Sequence, residues 1–153
     1  MVRKAAVLDC VVCRIVAGAA DASVVYDDDR LLAFCDLNPV NPGHLLVVPK
    51  VHSVGLAGLD EADGSRMFKV AQSLAAAVRS SGLRCQGVNL FLADGKAAGQ
   101  EVLHVHLHVF PRYVGTLPAS IPVSGERPAE ISMRSPLGFA LCCDDEVVSG
   151  SCA

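Results

Sequence analysis

The segment His104-Val105-His106-Leu107-His108-Val109-Phe110-Pro111-Arg112 alternates imidazole with apolar side chains over its first six residues. Successive side chains of a strand point to opposite faces, so a strand over Leu103 to Phe110 puts His104, His106 and His108 on one face, about 6.6 Å apart. Val105, Leu107 and Val109 then face the other way, into a core. A lone histidine in such a position is ordinarily one polar residue on a sheet face. Three in strict alternation are too many for that reading. A shared metal ion is a second reading, and it uses two of the three. Chemistry uses all of them.

The flanking sequence supplies further strands. Val24 to Tyr26 and Leu31 to Asp36 are short β-prone runs separated by Asp27, Asp28 and Asp29, which is a hairpin pattern. Pro39, Asn41, Pro42 and Gly43 make a turn in which Pro42-Gly43 suits the centre of type II. Leu45 to Val48 follows as a third strand, stopped by Pro49. Asp60 is placed to cap a helix in which Met67, Val70, Ala71, Leu74, Ala75 and Val78 recur at helical spacing, ended by Gly82. Val88 to Leu92 is a fourth strand and Asp94-Gly95 opens a loop before the histidines. Neighbouring strands with one long helix define α+β rather than a repeated βαβ pattern.

The 153 residues are 52% hydrophobic and 19% charged, the balance of one globular domain with an ample core. A net charge of -3 argues against non-specific nucleic-acid binding, which needs a basic surface. Met1 to Ala20 starts with Arg3 and Lys4, but Asp9 and Arg14 interrupt the apolar stretch that an export signal requires. No apolar run reaches the roughly 18 residues of a membrane span. The seven cysteines are odd in number, so a reducing compartment, the cytoplasm, is expected. Pro118, Pro122, Pro128 and Pro136 interrupt a tail without periodicity that ends in Cys142, Cys143 and Cys152.

A neutral imidazole is a nucleophile near neutral pH, and its phosphoryl adduct is reactive enough for water to hydrolyse. His106, flanked on both sides, is the natural nucleophile. His108 can bind a non-bridging oxygen or pass a proton to the leaving group. Cys10-Val11-Val12-Cys13 is a spacing that chelates zinc, although two buried apolar cysteines would read the same way. Zinc needs two further ligands, and His52 and His104 are the available candidates.

These features resemble the histidine triad (HIT) family, whose signature is three histidines alternating with apolar residues. The resemblance spans roughly Asp9 to Arg112 and includes Asp36-Leu37-Asn38-Pro39, Pro42-Gly43-His44 and Ala98-Gly99-Gln100-Glu101-Val102. It implies a five-stranded antiparallel sheet with one long and one short helix. Residues 1–112 would form that domain and 113–153 an irregular tail. It also implies nucleotide hydrolysis or transfer at the α-phosphorus through a covalent nucleotidyl-histidine on His106. In the transferase branch the third histidine is commonly glutamine, so His108 favours hydrolysis. The substrate would be a purine nucleotide of adenosine type: a phosphoramidate, an adenylate or a dinucleoside polyphosphate. A homodimer is expected, without nucleic-acid or membrane partners.

Some bacterial members place a structural zinc on positions matching Cys10, Cys13, His52 and His104, which leaves His106 for catalysis. By the same resemblance Gln100 contacts the phosphate or leaving group, Asp36 accepts from the ribose hydroxyls, and His44 orients the triad. Val12, Ile15, Phe34 and Leu37 wall the base. Arg112 is a candidate cation, although an arginine after a strand is ordinarily solvated. Two positions depart from the pattern. Ala93 stands where many relatives carry asparagine, so Asp94 or backbone would have to compensate. Glu101 stands where serine or threonine is common, and its charge should face solvent or a cation. The competing reading is a non-catalytic nucleotide- or zinc-binding adaptor, which predicts binding that survives loss of His106 and no product.

Overall fold

The computed structural model describes residues 10–116. Its elements run α1 (Val11–Val16), β1 (Val24–Asp27), β2 (Leu31–Cys35), β3 (Leu45–Pro49), α2 (Glu61–Ser80), β4 (Gly87–Phe91) and β5 (Leu107–Arg112). Short 3-10 turns, Leu56–Gly58 and Lys96–Ala98, lie in the connections on either side of α2 and β4. The strands form one antiparallel sheet in the order β1-β2-β3-β5-β4. This is the α+β architecture with one long and one short helix that the sequence predicts. The tail's prolines and its terminal cysteines lie outside the described residues.

α2 forms where the capping chemistry and the apolar period agree. The Asp60 carboxylate accepts from the backbone N–H groups of Ala62 and Asp63, satisfying two donors that no helical turn can reach. Met67, Val70, Ala71, Leu74 and Val78 are buried against Leu31, Ala33, Leu45, Val47 and Val109 of the sheet. The residues of β5 that face this core are those in phase with Val105 and Val109, as the alternation requires. α1 covers the opposite face, packing Val12 and Ile15 on Leu32, Phe34 and Val48. The sheet is thus sandwiched, and the histidines emerge on the α1 side beyond the short helix.

β5 begins later than the alternation suggests. Leu103 to His106 are outside the ladder, and the strand runs from Leu107 to Arg112. The backbone bends at Val102–His104, where the His104 N–H returns to the Val102 carbonyl at 2.8 Å and the Val105 N–H reaches the Ser53 carbonyl at 2.7 Å. That bend sends the His104 side chain to the two cysteines instead of leaving it in one row with its neighbours. A single-strand placement of all three histidines is therefore corrected: only His108 sits in the ladder. β1 also carries an irregularity between Val24 and Tyr26, which no sequence signal marked.

Two turns position the site. Asn41, Pro42, Gly43 and His44 form a turn closed by the His44 N–H on the Asn41 carbonyl at 3.1 Å, with Gly43 at φ +83°. That φ is the left-handed value a type II turn demands at its third position. A Cβ there would also lie 2.6 Å from Leu83 Cδ1. On the far side of the domain, Asp28 ties the β1–β2 turn to α2. It accepts from the Arg30 and Leu31 amides and pairs with Arg66, while Arg30 reaches Asp60 and the buried Asp63.

Candidate active site and metal group

Cross-strand register sets the floor of the site. Phe34 on β2, Leu46 on β3, His108 on β5 and Phe91 on β4 are successive partners across four strands. His44, from the turn before β3, lies beside the next position, its ring 4.4 Å from that of Phe110. His106 and His108 meet edge to face at 4.8 Å. Two catalytic candidates, the Asp36–His44 turn and part of the base wall thereby share one face.

Hydrogen-bond partners assign the tautomer of each histidine. His106 Nδ1 lies 2.7 Å from the His104 carbonyl oxygen, so Nδ1 carries the proton and donates it. The lone pair is then on Nε2. Among the described residues Nε2 of His106 makes no hydrogen bond, and no fully buried side-chain polar atom is left unpartnered, so this nitrogen opens on the site. His44 Nδ1 accepts from the Val40 N–H at 3.3 Å, which leaves its proton on Nε2 to donate to His108 Nδ1 at 2.8 Å. His108 consequently carries its own proton on Nε2.

Burial keeps this relay uncharged. Desolvation, reinforced by His108, His106 and Arg112, pulls the His44 imidazole down to about 3. Desolvation and then His106 pull His108 down to about 4. The Asp36 carboxyl is pushed up by burial, against the stabilising Asn38 N–H and His106. Its Oδ2 lies 3.4 Å from His44 Nε2 and its Oδ1 accepts from Asn38 at 2.9 Å. Asp36, His44 and His108 are close enough to suggest a cation. However, 2.8 Å between the two imidazole nitrogens is a hydrogen-bond length, shorter than the roughly 3.4 Å of two nitrogens on one metal.

The metal group fits much better. Ligand atoms of Cys10, Cys13, His52 and His104 converge from α1, the segment after β3 and the bend before β5. The sulfur–nitrogen separations are 3.5 Å for Cys10–His104, 3.3 Å for Cys13–His52 and 3.6 Å for Cys13–His104, and the two Nδ1 atoms are 3.2 Å apart. A tetrahedral zinc with ordinary bond lengths spaces sulfur and nitrogen by about 3.6 Å and two nitrogens by about 3.4 Å. His104 Nε2 donates to the Pro49 carbonyl at 2.8 Å, so its Nδ1 lone pair faces the cysteines. Burial, followed by the neighbouring Cys10, raises the Cys13 thiol to about 11, and burial holds His104 down to about 4. These side chains form a largely buried donor set in which the raised Cys13 thiol would be ionised by a bound cation.

The other predicted residues divide. Val12, Ile15 and Phe34 belong to one apolar cluster, whereas Leu37 stands apart, 74% exposed in the turn. Gln100 is buried, and its amide is engaged at both ends: Oε1 accepts from the Gly95 N–H at 2.8 Å, and Nε2 donates to the carbonyls of Val54 (2.6 Å) and Val102 (3.1 Å). Ala93 is buried and Glu101 exposed, as its charge requires. Asp94 accepts from the Leu56 N–H at 3.1 Å, so it ties two loops together. The Arg112 guanidinium donates to Asn89 at 2.9 Å and lies over the Phe110 ring.

Sequence reasoning missed Phe91 and Phe110, the two phenyl rings that contact His108, and the Pro49 carbonyl behind His104. Phe110 was signalled, being in phase with His106 and His108. Neither Phe91 nor Pro49 could be found without the strand register.

A five-stranded α+β domain carrying two cysteines and two histidines that could hold a metal, beside a cluster of histidines with fixed tautomers, is the class these features define. The HIT domain family model matches residues 17–115. An uncharacterized HIT-like protein of Borreliella burgdorferi is 42% identical over 106 residues, covering 69% of this chain and 76% of the relative. A crystal structure of a Zn-bound histidine triad family protein from Mycobacterium smegmatis superposes with a TM-score of 0.70 at 40% identity, covering 81% of this chain and 86% of that one. A HIT family hydrolase from Legionella pneumophila gives a TM-score of 0.60 at 32% identity, covering 72% and 98%. The chain belongs to the HIT family. No helix among the described residues is long and apolar enough to cross a membrane.

Proposed function

We propose that this protein hydrolyses a nucleotide at its α-phosphorus through a covalent nucleotidyl intermediate on His106. The observation that carries the reading is the His106 ring itself. Its Nδ1 proton is committed to the His104 carbonyl and its Nε2 lone pair is unpaired at the site. A neutral imidazole so fixed is a nucleophile that needs no separate base to activate it.

In the first step Nε2 of His106 attacks the α-phosphorus and the bond to the leaving group breaks, the departing group taking its proton from solvent. The proton stays on Nδ1, and its hydrogen bond to the His104 carbonyl stabilises the charge that the ring acquires. His108, neutral and protonated on Nε2, donates a hydrogen bond to a non-bridging oxygen, where negative charge grows in the transition state. Its tautomer and its depressed basicity favour this role over proton transfer. Water then attacks the same phosphorus and loses a proton to solvent, the phosphorus–nitrogen bond breaks with its electron pair returning to Nε2, and a nucleoside monophosphate leaves with His106 restored.

Asp36 accepts from the ribose hydroxyls, Val12, Ile15, Phe34 and Leu37 border an adenosine-type base, and Gln100 shapes the loop beside the phosphate through its three backbone contacts. Cys10, Cys13, His52 and His104 hold a structural zinc, which when bound ties α1 to the approach of β5. The assembly is a homodimer, for which β4, the outermost strand on its side of the sheet among the described residues, offers an edge. The setting is the reducing cytoplasm, a reading that rests on the odd number of cysteines in the sequence.

The test is nucleoside monophosphate release from adenosine phosphoramidate and from a diadenosine polyphosphate. Wild type should turn over at least one of them, and His106→Ala should lower that rate by about 10³-fold or more. Nucleotide binding without product from the wild type would replace the enzyme with an adaptor.

A further inference from the structure

The mechanism asks His108 to present one N–H in one direction, yet the single hydrogen bond from His44 leaves the ring free to swing about it. Two rings remove that freedom. Phe110, two residues along β5, stacks on His108 with centroids 5.1 Å apart and planes 6° from parallel. Phe91, the cross-strand partner of His108 on β4, lies 5.7 Å away at 32°. Phe110 is itself wedged against His44, the hydrogen-bond donor, at 4.4 Å. We propose that Phe91 and Phe110 are positioning residues, a two-ring clamp that fixes the plane of the His108 imidazole, keeps water from its faces and aims its Nε2–H at the substrate. The proposal rests on the role given to His108 above.

An aromatic clamp has two opposed electrostatic effects. Ring faces attract a cation, which favours the imidazolium by about 1.5 pH units at a desolvated site. Excluding water disfavours it by up to about 3 to 5 units. Desolvation wins, in keeping with the low basicity of His108. The charged and titratable groups around the ring are Asp36 and His44 from the turn before β3, and His106 and Arg112 from its own segment. β3 and β4 contribute Leu46 and Phe91, which do not titrate. Replacing a phenylalanine by leucine therefore changes hydration and ring order without adding a charge.

The experiment compares Phe91→Leu and Phe110→Leu with wild type in the full-length, metal-loaded chain, following isotope-labelled histidines by NMR. His108→Gln identifies the His108 signals. In each leucine variant the His108 midpoint should rise by about one pH unit or more. kcat should fall about tenfold while KM changes less than about twofold, because the interaction matters in the transition state. The acid limb of the kcat profile should move up with the midpoint. Phe91→Tyr, which keeps the ring, should titrate like wild type. A folded leucine variant with wild-type His108 midpoint and acid limb overturns the clamp, even if its rate or stability falls. Phe110 is buried, and should its variant not fold, the half-buried Phe91 decides alone. The titration needs no substrate, so a wild type without turnover would remove the proposed function and still leave the clamp to be judged.

Discussion

His44 and His108 are bases held neutral inside the protein, and this has a consequence for stability. Their folded midpoints, about 3 and about 4, lie below the roughly 6.5 of an unfolded histidine. Between those values the unfolded chain binds protons that the native chain does not, so stability rises with pH across this window and falls as acid is added. Denaturant midpoints measured from pH 7 to pH 4 should decline below about 6.5, and His44→Gln should flatten the decline. A pH-independent midpoint would mean that these rings are solvated. The candidate site histidines were legible in sequence because alternation is a strong signal and three imidazoles have few other uses. The tautomers were not, since each depends on a backbone group that only the fold brings to the ring: the Pro49 carbonyl, distant in sequence, for His104, and the Val40 N–H, folded back across the turn, for His44. Ala93 and Gln100 show the same limit. A motif names the residue, but only the fold shows that Ala93 is buried and that both ends of the Gln100 amide are met by backbone.

The elements were predicted best where a local cap and a periodic face coincide. α2 has both, and Asp60→Ala should cost about 1 kcal/mol, seen as a lower denaturant midpoint at unchanged slope. The Pro42-Gly43 turn was equally readable, and it matters more because it delivers His44. Gly43→Ala meets a left-handed φ and a 2.6 Å approach to Leu83 together, so it should destabilise by more than about 1 kcal/mol and weaken turnover through His44. Turnover unchanged in that variant would mean that the turn adapts without moving the histidine. β5 was misread at its start for a physical reason: Leu103 to His106 have the composition of a strand, but tertiary ties to Ser53 and to the cysteine cluster override it. A period-two pattern cannot reveal that one of its members has been recruited elsewhere.

At the scale of the molecule, the metal group joins three parts of the chain that share no strand pairing: α1, the segment after β3 and the bend before β5. Metal bound to the native form alone stabilises it by mass action. Elemental analysis should find one zinc per chain, and a strong chelator should lower the Tm of wild type by several degrees while leaving Cys10→Ser/Cys13→Ser unaffected. An unchanged wild-type Tm after zinc removal would deny the structural role. The family resemblance implied five antiparallel strands and two helices, but strand order and two-sided packing came only with the structure, because periodicity fixes faces and not neighbours. The central claim concerns one bond, between the α-phosphorus and Nε2 of His106. It is tested most directly by intact-protein mass spectrometry after a rapid alkaline quench during turnover of whichever nucleotide the wild type accepts. A wild-type adduct of one nucleoside monophosphoryl group is expected, chased to free monophosphate by water and absent from His106→Ala. An adduct of the same mass in His106→Ala, or sustained wild-type turnover with none at any quench time, would contradict it.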